Sequence, residues 1–461
     1  MKMRRGETDI LRHRCADFAG SRRHLYGRSR SVALDALAGG SAFGGRLEAF
    51  AGRSVLLIPR EQLNAAVALI ELDGVARRIV ICTPDVPLDY LRAIATTAEV
   101  DAVVYDDGTP DPQAFGVPLL VASSADVAAR PAGVSDIRQT EWVLLTSGTT
   151  GVPKLVCHTL ASLIAPIKPV SEPPIWGTFY DIRRYGGMQI FLRALVGGGS
   201  LILSSAGEPV AEHLGRLAEH GATHVSGTPS HWWRVLMGSE ARIMGPRYVR
   251  LSGEIANQAV LDGLRAAYPQ AGVGHAFAST EAGVGFEVND GLEGFPADFV
   301  GTGKGDVDIA VDDGVLRLRS LRTASEYIGA DAAPLRDADG FVDTGDMLEL
   351  RGDRYYFVGR KDGVINVGGL KVHPEEVEAA INQHAGVSGS LVKSRKSPIT
   401  GAIVVAEVVL KADGAPEARS ALEREIIALC RRDLAPYKVP AMIRFVPTLP
   451  MTAAGKLLRH A

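Results

Sequence analysis

The sequence predicts an α/β protein with a large layered N-terminal domain and a small mobile α+β C-terminal domain. The large domain should combine α/β subdomains with a β-rich subdomain. Short apolar runs alternate with amphipathic segments up to about residue 225, and β-type runs separated by Asp and Gly turns begin near residue 307. At 461 residues the chain exceeds what one hydrophobic core usually organises. We place the domains at residues 1–360 and 361–461, joined by a flexible segment near Gly359–Gly363.

The first half of the chain has the rhythm of parallel β/α units. Its strands are predicted at Val55–Ile58, Ile79–Ile81, Val103–Tyr105, Trp142–Leu145, Leu201–Leu203 and Thr223–Val225. The helices between them are predicted near residues 61–72, 87–97, 188–196 and 209–219. This part should form the layered α/β portion of the large domain.

The residue pattern of the later segments is different. The β-rich subdomain is predicted from the strands Val315–Leu318 and Tyr355–Val358. The last hundred or so residues carry two helical patterns, near residues 374–384 and 415–434, and strands near residues 390–394, 402–409 and 442–446. We expect these elements to form the small α+β domain.

Composition and charge exclude several classes of protein. Hydrophobic residues make up 46% of the chain, which suits a soluble globular protein, and a net charge of −3 gives no general attraction to nucleic acid or to anionic membranes. The four cysteines are widely separated, which indicates neither a zinc site nor a disulfide framework. No stretch is long and apolar enough for a membrane span, and the expected location is the cytoplasm. The arginine-rich first thirty residues are interpreted as a solvated or loosely packed arm.

Nine residues after an apolar strand carry phosphate-binding chemistry. The segment Thr146–Lys154 reads T-S-G-T-T-G-V-P-K, and its hydroxyls and glycines would let backbone N–H groups surround an anion while Lys154 adds positive charge. The spacing differs from the Walker loop, G-x-x-x-x-G-K-[ST], which disfavours a P-loop NTPase. A flexible surface loop is the alternative. The prediction is a nucleotide site.

Four further segments carry chemistry that is weaker when each is taken alone. His275–Glu281 places an aromatic ring, a hydroxyl and a carboxylate at a strand end, although a capped helix start would look similar. Asp343–Asp346 offers carboxylates for ribose hydroxyls, or an ordinary turn. Gly359–Asp362 suggests a flexible joint in the chain, and Gly368–Lys371 a segment whose glycines permit a tight approach of the backbone. A plain hairpin would look much the same. Pro450–Lys456 ends in a lysine on a loop of small residues, where a lysine is usually just solvated.

Together and in this order, these segments resemble the adenylate-forming superfamily, which contains acyl- and aryl-CoA synthetases, adenylation domains of nonribosomal peptide synthetases and firefly luciferase. The resemblance rests on T-S-G-T-T-G-x-P-K, S-T-E, T-G-D, G-R-K-D-G, G-G-x-K-V-x-P-x-E-V-E and P-x-T-x-x-G-K, and it covers residues from about 140 to the C-terminus. The segment before residue 140 is shorter than is usual in this family. The resemblance implies an AMP-forming ligase that joins a carboxylic acid to ATP with Mg²⁺ and then transfers the acyl group to a pantetheine thiol.

The resemblance also implies a role for each matching residue. The catalytic residues would be Lys456, Thr280 and Glu281, with Glu281 also the Mg²⁺ ligand and Asp362 the hinge. Nucleotide and cofactor binding falls on Thr146, Ser147, Gly148, Thr149, Thr150, Gly151, Lys154, Gly253, Glu254, Phe277, Ala278, Ser279, Asp346, Arg360, Gly368, Gly369 and Lys371. Within this set, Phe277 would stack on adenine, Asp346 would bind ribose with help from Arg360, and the glycines at 368 and 369 would face the thiol entry.

The acid pocket is assigned to Arg184, Gly187, His275 and Ala278. Arg184 stands where many relatives have histidine and could bind a polar or anionic tail, although a salt bridge is the competing interpretation. Ala278 replaces a usual glycine. The bulky His231, Trp232 and Trp233 are more often core than pocket.

Three alternatives stay open at this point. Asn366 stands where several CoA ligases carry lysine, so a carrier protein competes with coenzyme A as the thiol partner, although the chain ends at Ala461 without a fused carrier. A luciferase-like oxygenase would need the same adenylation machinery. A pseudoenzyme that binds adenylate without catalysis is disfavoured because Lys154 and Lys456 are both present.

Overall fold

The computed structural model describes residues 10–16, 22–109, 111–129, 137–146, 153–167, 170, 172–303, 305–329, 332–367, 369–397, 401–411, 416–451 and 457. The predicted segments Ser147–Gly151, Gly368 and Lys456 lie outside these residues.

Strands account for the layers of the molecule. In chain order they are β1 (His24–Tyr26), β2 (Ser31–Ala33), β3 (Gly40–Ser41), β4 (Ser54–Leu57), β5 (Arg78–Ile81), β6 (Ala102–Tyr105), β7 (Leu119–Ala122), β8 (Ala128–Ala129), β9 (Glu141–Thr146), β10 (Lys154–Thr159), β11 (Ile175–Thr178), β12 (Ser200–Ile202), β13 (His224–Gly227), β14 (Tyr248–Ser252), β15 (Gly272–Ser279), β16 (Gly283–Val288), β17 (Phe295–Pro296), β18 (Val307–Asp312), β19 (Val315–Ser320), β20 (Glu326–Ile328), β21 (Val342–Arg351), β22 (Arg354–Arg360), β23 (Ile365–Val367), β24 (Leu370–Val372), β25 (Val387–Ser397), β26 (Gly401–Leu410) and β27 (Met442–Phe445).

Helices lie between the strands. They are α1 (Leu11–Ala16), α2 (Leu34–Gly39), α3 (Gln62–Leu72), α4 (Leu88–Thr97), α5 (Leu160–Ile164), α6 (Tyr185–Val196), α7 (Val210–Glu219), α8 (Pro229–Met237), α9 (Gln258–Ala267), α10 (Phe299–Thr302), α11 (Pro374–Asn382) and α12 (Pro416–Asp433). Short 3₁₀ helices cover Leu47–Phe50, Pro112–Phe115, Ser239–Ile243, Lys361–Gly363 and Pro436–Lys438.

Two large sheets with parallel centres form the layered part of the chain. Among the described residues the first sheet has eight strands in the order β16-β15-β14-β13-β11-β12-β1-β2, and the second has seven in the order β20-β10-β9-β5-β4-β6-β7. Their central strands are apolar and buried, as in β4 and β5, because helices cover both faces of a parallel sheet. The β/α rhythm of the sequence therefore gives the predicted architecture.

The β-rich subdomain and the small C-terminal unit are also present. The third sheet has the order β17-β22-β21-β19-β18 and is antiparallel. In the last part of the chain, α11 and α12 pack with the β25-β26-β27 sheet around a core that runs from Ile365 to Ile443. The α/β fold class is confirmed, whereas the domain boundary at residue 360 stays a prediction.

The N-terminal segment differs from the prediction of a loose arm. Leu11 and Cys15 of α1 are buried, and the Leu11 N–H donates to the Asp73 carboxylate. Arg23 is buried and donates to the carbonyls of Leu195 and Gly199, directly before β1 joins the first sheet beside β12. The prediction was wrong for α1 and for Arg23, because apolar side chains are buried there and backbone carbonyls bind the Arg23 guanidinium, whereas Arg28 and Arg30 are exposed. Residues 1–9 lie outside the described part.

Candidate active site

The carboxyl ends of the two parallel sheets face each other across a cleft. The cleft holds about 720 Å³ and is lined by Phe179 and Ser204, which follow strands of the first sheet, and by Ile58 and Thr83, which follow strands of the second. Met451 near the C-terminal end of the chain also lines the cleft. Open α/β sheets bind ligands at the carboxyl ends of their strands, so the fold places a ligand crevice here.

The predicted phosphate loop is the connection of a hairpin. Thr146 ends β9, Lys154 begins β10, and the two residues are paired across the antiparallel ladder. The Lys154 Nζ lies 5.1 Å from the centre of the Tyr327 ring. The described ends of the loop therefore lie at the carboxyl edge of the second sheet, with the lysine directed towards β20.

Thr280 and Glu281 lie in the turn between the antiparallel strands β15 and β16. The alternative of a helix start was wrong, because the chain reverses into β16 at Gly283 instead of entering a helix. Tyr327 donates a hydrogen bond of 3.3 Å to Glu281 Oε1. Burial, and then the charge of Glu281, raise the pKa of Tyr327, so its hydroxyl keeps the proton that it donates. Tyr327 thus connects the Lys154 ammonium group with the Glu281 carboxylate.

A buried histidine that was not predicted as a site residue holds this turn. His158 on β10 is fully buried, and its Nε2 lies 2.7 Å from the carbonyl oxygen of Thr280. A carbonyl only accepts, so Nε2 carries the proton, and Nδ1 lies 3.0 Å from Ser162 Oγ. Burial lowers the pKa of His158 to about 4, which keeps the ring neutral at physiological pH.

Glu254 joins the large part of the chain to its C-terminal end. Gly253 has a φ of +85°, a conformation that suits glycine and turns the chain out of β14. Glu254 Oε2 accepts from the Ser230 N–H at 2.9 Å, and Oε1 accepts from the Leu457 N–H at 3.3 Å. Leu457 directly follows Lys456 in the sequence. The described residue next to the predicted catalytic lysine therefore contacts the carboxyl edge of the first sheet.

The predicted adenine-binding segment lies at the end of β15. The Phe277 ring is half-buried and stacks on Phe357, with ring centres 5.3 Å apart and planes inclined by 7°. The ladder is irregular between Phe277 and Ala278, which changes the direction of the following residues. The Ser279 hydroxyl accepts from the Ala282 N–H at 3.0 Å and stabilises the turn.

Asp346 and Arg360 face each other on neighbouring strands. They are paired across β21 and β22, and Arg360 Nη1 lies 3.5 Å from Asp346 Oδ2. The alternative of an ordinary turn at Asp343–Asp346 was wrong, because these residues belong to strand β21. Arg360 Nε also lies 3.3 Å from Asp362 Oδ1, so the same guanidinium links the predicted ribose site with the predicted hinge.

The predicted acid-pocket residues have different surroundings. Arg184 lines the cleft, and its Nη2 lies 2.7 Å from Asp85 Oδ2, which agrees with the salt-bridge interpretation. A Cβ at Gly187 would lie 2.1 Å from the Asp181 carbonyl oxygen, so this glycine permits close packing at the start of α6. His275 is buried, its Nε2 bonds to the Leu292 carbonyl at 2.9 Å, and burial lowers its pKa. Ala278 packs against the main core.

The residues predicted to line the thiol entry lie on the β23–β24 hairpin. Gly369 N–H donates to Asn366 Oδ1 at 2.8 Å, and Lys371 is exposed. Among the described residues, no hydrogen bond of this hairpin reaches the Thr280–Glu281 turn. The printed contact of Asn366 thus lies within the hairpin, whereas Tyr327 contacts both Lys154 and Glu281 at the ends of β10, β20 and β15.

His231 is a further cleft residue that the sequence interpretation undervalued. Its Nδ1 accepts from the Thr228 N–H at 3.2 Å, and burial lowers its pKa to about 3. The neutral ring therefore carries its proton on Nε2, and His231 lines the cleft, whereas its neighbour Trp232 is core.

In the part of the chain that the structure describes, no helix is long and apolar enough to cross a membrane.

Comparison with known proteins identifies the family. The model of the AMP-binding enzyme family matches residues 54–315, more than half of the chain, and the AMP-binding enzyme C-terminal domain matches residues 376–456. The family match thus begins well before residue 140, where the sequence resemblance was first drawn.

Individual relatives agree with this assignment. The 2-succinylbenzoate–CoA ligase of Listeria monocytogenes is 27% identical over 378 residues, which cover 79% of this chain and 78% of that protein. The match to human mitochondrial acyl-coenzyme A synthetase ACSM5 is local, with 40% identity over 120 residues that cover 26% of this chain and 21% of that protein. The crystal structure of an anthranilate CoA ligase in complex with anthranoyl-AMP superimposes with a TM-score of 0.80 at 17% identity, covering 97% of this chain and 95% of that one.

The predicted family, fold class and enzyme class are therefore confirmed, and the chain belongs to the AMP-binding enzyme family of the adenylate-forming superfamily.

Proposed function

We propose that this enzyme activates a carboxylic acid with Mg-ATP to an acyl adenylate and transfers the acyl group to the thiol of coenzyme A. One observation carries the proposal: the phosphate hairpin, the Thr280–Glu281 turn and the residue next to Lys456 all approach the carboxyl edges of the two sheets. A carboxylate is a poor electrophile because oxide is a poor leaving group. Adenylation supplies AMP as the leaving group for the thiol.

The phosphate-binding part of the site is assigned to the hairpin and the turn. The β- and γ-phosphates would bind to Lys154 and to the loop residues Thr146, Ser147, Gly148, Thr149, Thr150 and Gly151. Thr280 would contact the α-phosphate. The 2.7 Å hydrogen bond from His158 supports this role, because it holds the turn from the buried side and leaves the threonine side chain unused by that contact.

Glu281 is the proposed magnesium ligand. The described residues contain no group of three or more His, Cys, Asp or Glu that could hold a metal ion, so Glu281 would bind the ion as one carboxylate. That is sufficient for Mg²⁺, which is commonly bound through one or two carboxylates together with phosphate oxygens and water. The ion would neutralise phosphate charge, while Tyr327 keeps the Glu281 carboxylate directed towards Lys154.

The nucleoside is assigned to residues of the β15 end and the third sheet. Phe277 would stack on adenine, and the stacking of its ring on Phe357 supports this by fixing the plane that it presents. Asp346 would accept from ribose hydroxyls, with Arg360 holding the carboxylate in place. The remaining nucleotide contacts are assigned to Gly253, Glu254, Ala278 and Ser279.

Lys456 is the proposed catalytic cation. Its ammonium group would stabilise the negative charge that develops between the attacking carboxylate and the α-phosphate, a preorganised electrostatic contribution that is usually large. The Leu457–Glu254 hydrogen bond supports this role, since it ties the neighbouring residue to the edge where Thr280 lies. The acid itself would enter along Arg184, Gly187, His275 and Ala278.

The thiol step requires a second arrangement of the small domain. We assign the domains to residues 1–360 and 361–461, with the hinge at Asp362, so that rotation would remove Lys456 and bring Gly368, Gly369 and Lys371 to the acyl adenylate. The cytoplasm remains the expected compartment for this reaction.

Pyrophosphate release tests the proposal. The enzyme is incubated with Mg-ATP and a panel of aryl, short-chain, medium-chain, hydroxy and amino acids, including 2-succinylbenzoate and anthranilate, each with and without coenzyme A. We expect one acid class to release pyrophosphate and coenzyme A to accelerate turnover with formation of the thioester. Release that coenzyme A does not accelerate would favour a carrier protein as acceptor. If no acid of the panel released pyrophosphate while ATP still bound, the assigned activity would be contradicted.

A further inference from the structure

Two opposite charges of the proposed phosphate site contact the same tyrosine. The Lys154 ammonium group lies 5.1 Å from the centre of the Tyr327 ring, within the range of a cation–π contact. The hydroxyl of that tyrosine donates to Glu281 Oε1 at 3.3 Å. Within the described part of the chain, Lys154 and Glu281 form no ion pair with each other or with another residue. Tyr327 is thus the neighbour that the two charges share.

Strand β20 places Tyr327 beside both charged residues. Tyr327 is paired with Val156 of β10, and Lys154 lies two residues before Val156, so the lysine and the tyrosine share one face of the sheet. On the side of the turn, the Ala324 N–H donates to the Glu281 carbonyl at 2.9 Å. Backbone contacts with β10 and with the turn therefore fix the position of the ring.

Both contacts of Tyr327 are weak compared with the bonds that the same charges can make to a ligand. The cation–π contact of an exposed ammonium group is weaker than a charge-assisted hydrogen bond to an oxyanion. The distance of 3.3 Å between the hydroxyl and the carboxylate is longer than that of a usual O–H···O hydrogen bond. Tyr327 can therefore release Lys154 to phosphate oxygens and Glu281 to a metal ion.

Without the ring, Lys154 and Glu281 would be suitable partners for each other. Arg360 also interacts electrostatically with Glu281, but its guanidinium group already contacts Asp346 and Asp362. Lysine is a point charge on a flexible stem, so its ammonium group can turn towards a nearby carboxylate. An ion pair between Lys154 and Glu281 would compete with phosphate for the cation and with the metal for the carboxylate.

We propose that Tyr327 is a positioning residue that keeps Lys154 and Glu281 apart, so that the phosphate site does not neutralise its own charges before Mg-ATP binds. The inference rests on the proposed function, since it takes Lys154 as the phosphate cation and Glu281 as the magnesium ligand. Tyrosine suits this task because its ring face attracts a cation and its hydroxyl donates to a carboxylate. Leucine at this position would offer neither contact, and phenylalanine would offer only the first.

Binding of ATP and AMP without magnesium isolates the contribution of Lys154. Both nucleotides carry the nucleoside and the α-phosphate, and only ATP carries the β- and γ-phosphates assigned to Lys154. Dissociation constants are measured by calorimetry in EDTA. We expect Tyr327→Leu to weaken ATP binding about tenfold, the size of one charge-assisted interaction, and to leave AMP binding within about twofold of wild type. Tyr327→Phe keeps the ring and should bind ATP within about threefold of wild type.

A second substitution tests whether Glu281 is the competing partner. In the Tyr327→Leu background, Glu281→Gln removes the proposed ion pair and should restore ATP affinity about tenfold, whereas in the wild-type background it should change the affinity by less than about threefold. Because magnesium is absent, the loss of a metal ligand does not contribute. Tyr356→Leu is the matched control, since Tyr356 also carries a cation over its ring, Arg351 at 5.2 Å, near the start of β22.

Thermal unfolding confirms that each variant is folded, and Tyr327→Met gives the same comparison if the leucine variant does not fold. Unchanged ATP binding in the folded variant, or equal losses of ATP and AMP binding, would overturn the separating role of Tyr327. An effect of Glu281→Gln that is the same in both backgrounds would also overturn it.

The outcomes separate this inference from the proposed function. Wild-type enzyme that binds ATP no better than AMP, with or without magnesium, would overturn the phosphate assignment and the role of Tyr327 together. Normal ATP binding without pyrophosphate release from any acid would overturn the ligase function. The binding cycle would still decide the role of Tyr327 in that case, because it requires no acid.

Discussion

The two sides of the proposed reaction centre are attached to the molecule in different ways. The Thr280–Glu281 turn is held by hydrogen bonds from His158 and Tyr327, and the Glu281 carbonyl accepts from the Ala324 N–H at 2.9 Å. The C-terminal side reaches the large part of the chain through polar contacts such as the 3.3 Å bond from Leu457 to Glu254. Its hydrophobic core lies within its own residues, from Ile365 onward. The comparison indicates that the proposed phosphate and metal ligands are held by the large part, whereas the position of the proposed catalytic cation would depend on the C-terminal unit.

The largest expected effect comes from removing that cation. Lys456→Ala should lower adenylate formation by about 10²–10³-fold, the loss seen when one transition-state donor is removed, while ATP still binds. Acid-dependent pyrophosphate exchange measures the first step, and a fluorescent ATP analogue measures binding. Lys396→Ala is the matched control, since Lys396 is an exposed lysine of the same C-terminal unit. Unchanged exchange in the Lys456 variant would remove this residue from the mechanism.

The next largest effect should separate the two half-reactions. Asp362 is the middle residue of the 3₁₀ helix Lys361–Gly363, a conformation whose φ suits proline. Asp362→Pro should spare adenylation and slow thioester formation by roughly 10-fold or more, because it restricts rotation at the proposed hinge. Single-turnover assays of each step make the comparison.

Asp362→Ala is the control for this variant. It removes the same contact with Arg360, whose Nε lies 3.3 Å away, but leaves the backbone free. Rotation about this residue would be contradicted if the proline variant lost adenylation and thioester formation equally. It would also be contradicted if the alanine variant lost as much thioester formation as the proline variant.

The position of the Thr280–Glu281 turn depends on His158. His158→Phe keeps a flat ring but removes the donor to the Thr280 carbonyl, and we expect kcat for adenylation to fall about tenfold, as for a lost buried hydrogen bond. His158→Gln, whose amide can reach the same carbonyl, should recover most of the loss. If the imidazole acted only by packing, His158→Phe would instead keep a higher kcat than His158→Gln. Dependence of the rate on Mg²⁺ concentration shows whether the turn that carries Glu281 has moved.

Much of the fold followed from the sequence because it depends on local pattern. The runs Val55–Ile58 and Ile79–Ile81 became parallel strands, and the helix predicted near residues 61–72 is α3. The chemistry-bearing segments were also recognisable, since glycines, hydroxyls and carboxylates at strand ends have few other uses. These features are short in range, and each can be recognised from neighbouring residues.

Contacts between distant segments were not predictable in the same way. His158 and Thr280 are 122 residues apart, and nothing in either neighbourhood shows that they meet. Arg193, Arg250 and Glu287 come from three elements and form one cluster only after the helix covers the sheet. The arginine-rich start was misinterpreted because its charges are compensated by remote acceptors, such as the carbonyls that bind Arg23. Charge patterns along the sequence do not reveal such partners.

The smallest expected effect concerns the pH dependence of stability. Burial lowers the pKa of His158 to about 4, below its ordinary value of 6.5. Between pH 4 and pH 6.5, His158 is therefore protonated in the unfolded chain and neutral in the folded chain. Stability should therefore fall as the pH falls from 6.5 towards 4, by about 1.4 kcal/mol per pH unit for this group. His231, with a pKa of about 3 in the folded state, acts in the same direction.

Urea unfolding at pH 7.5 and 5.5 tests this sign. The four tryptophans, at positions 142, 176, 232 and 233, all precede the small domain, so their fluorescence reports on the large one. His158→Gln should lose about 1 kcal/mol less than wild type between the two pH values, because glutamine does not titrate. His158→Phe is the matched variant, since phenylalanine does not titrate either and should give the same reduction. An identical acid loss in wild type and His158→Gln would mean that the imidazole is already accessible to protons in the folded state, and the turn at Thr280 would then be less firmly held than its contacts indicate.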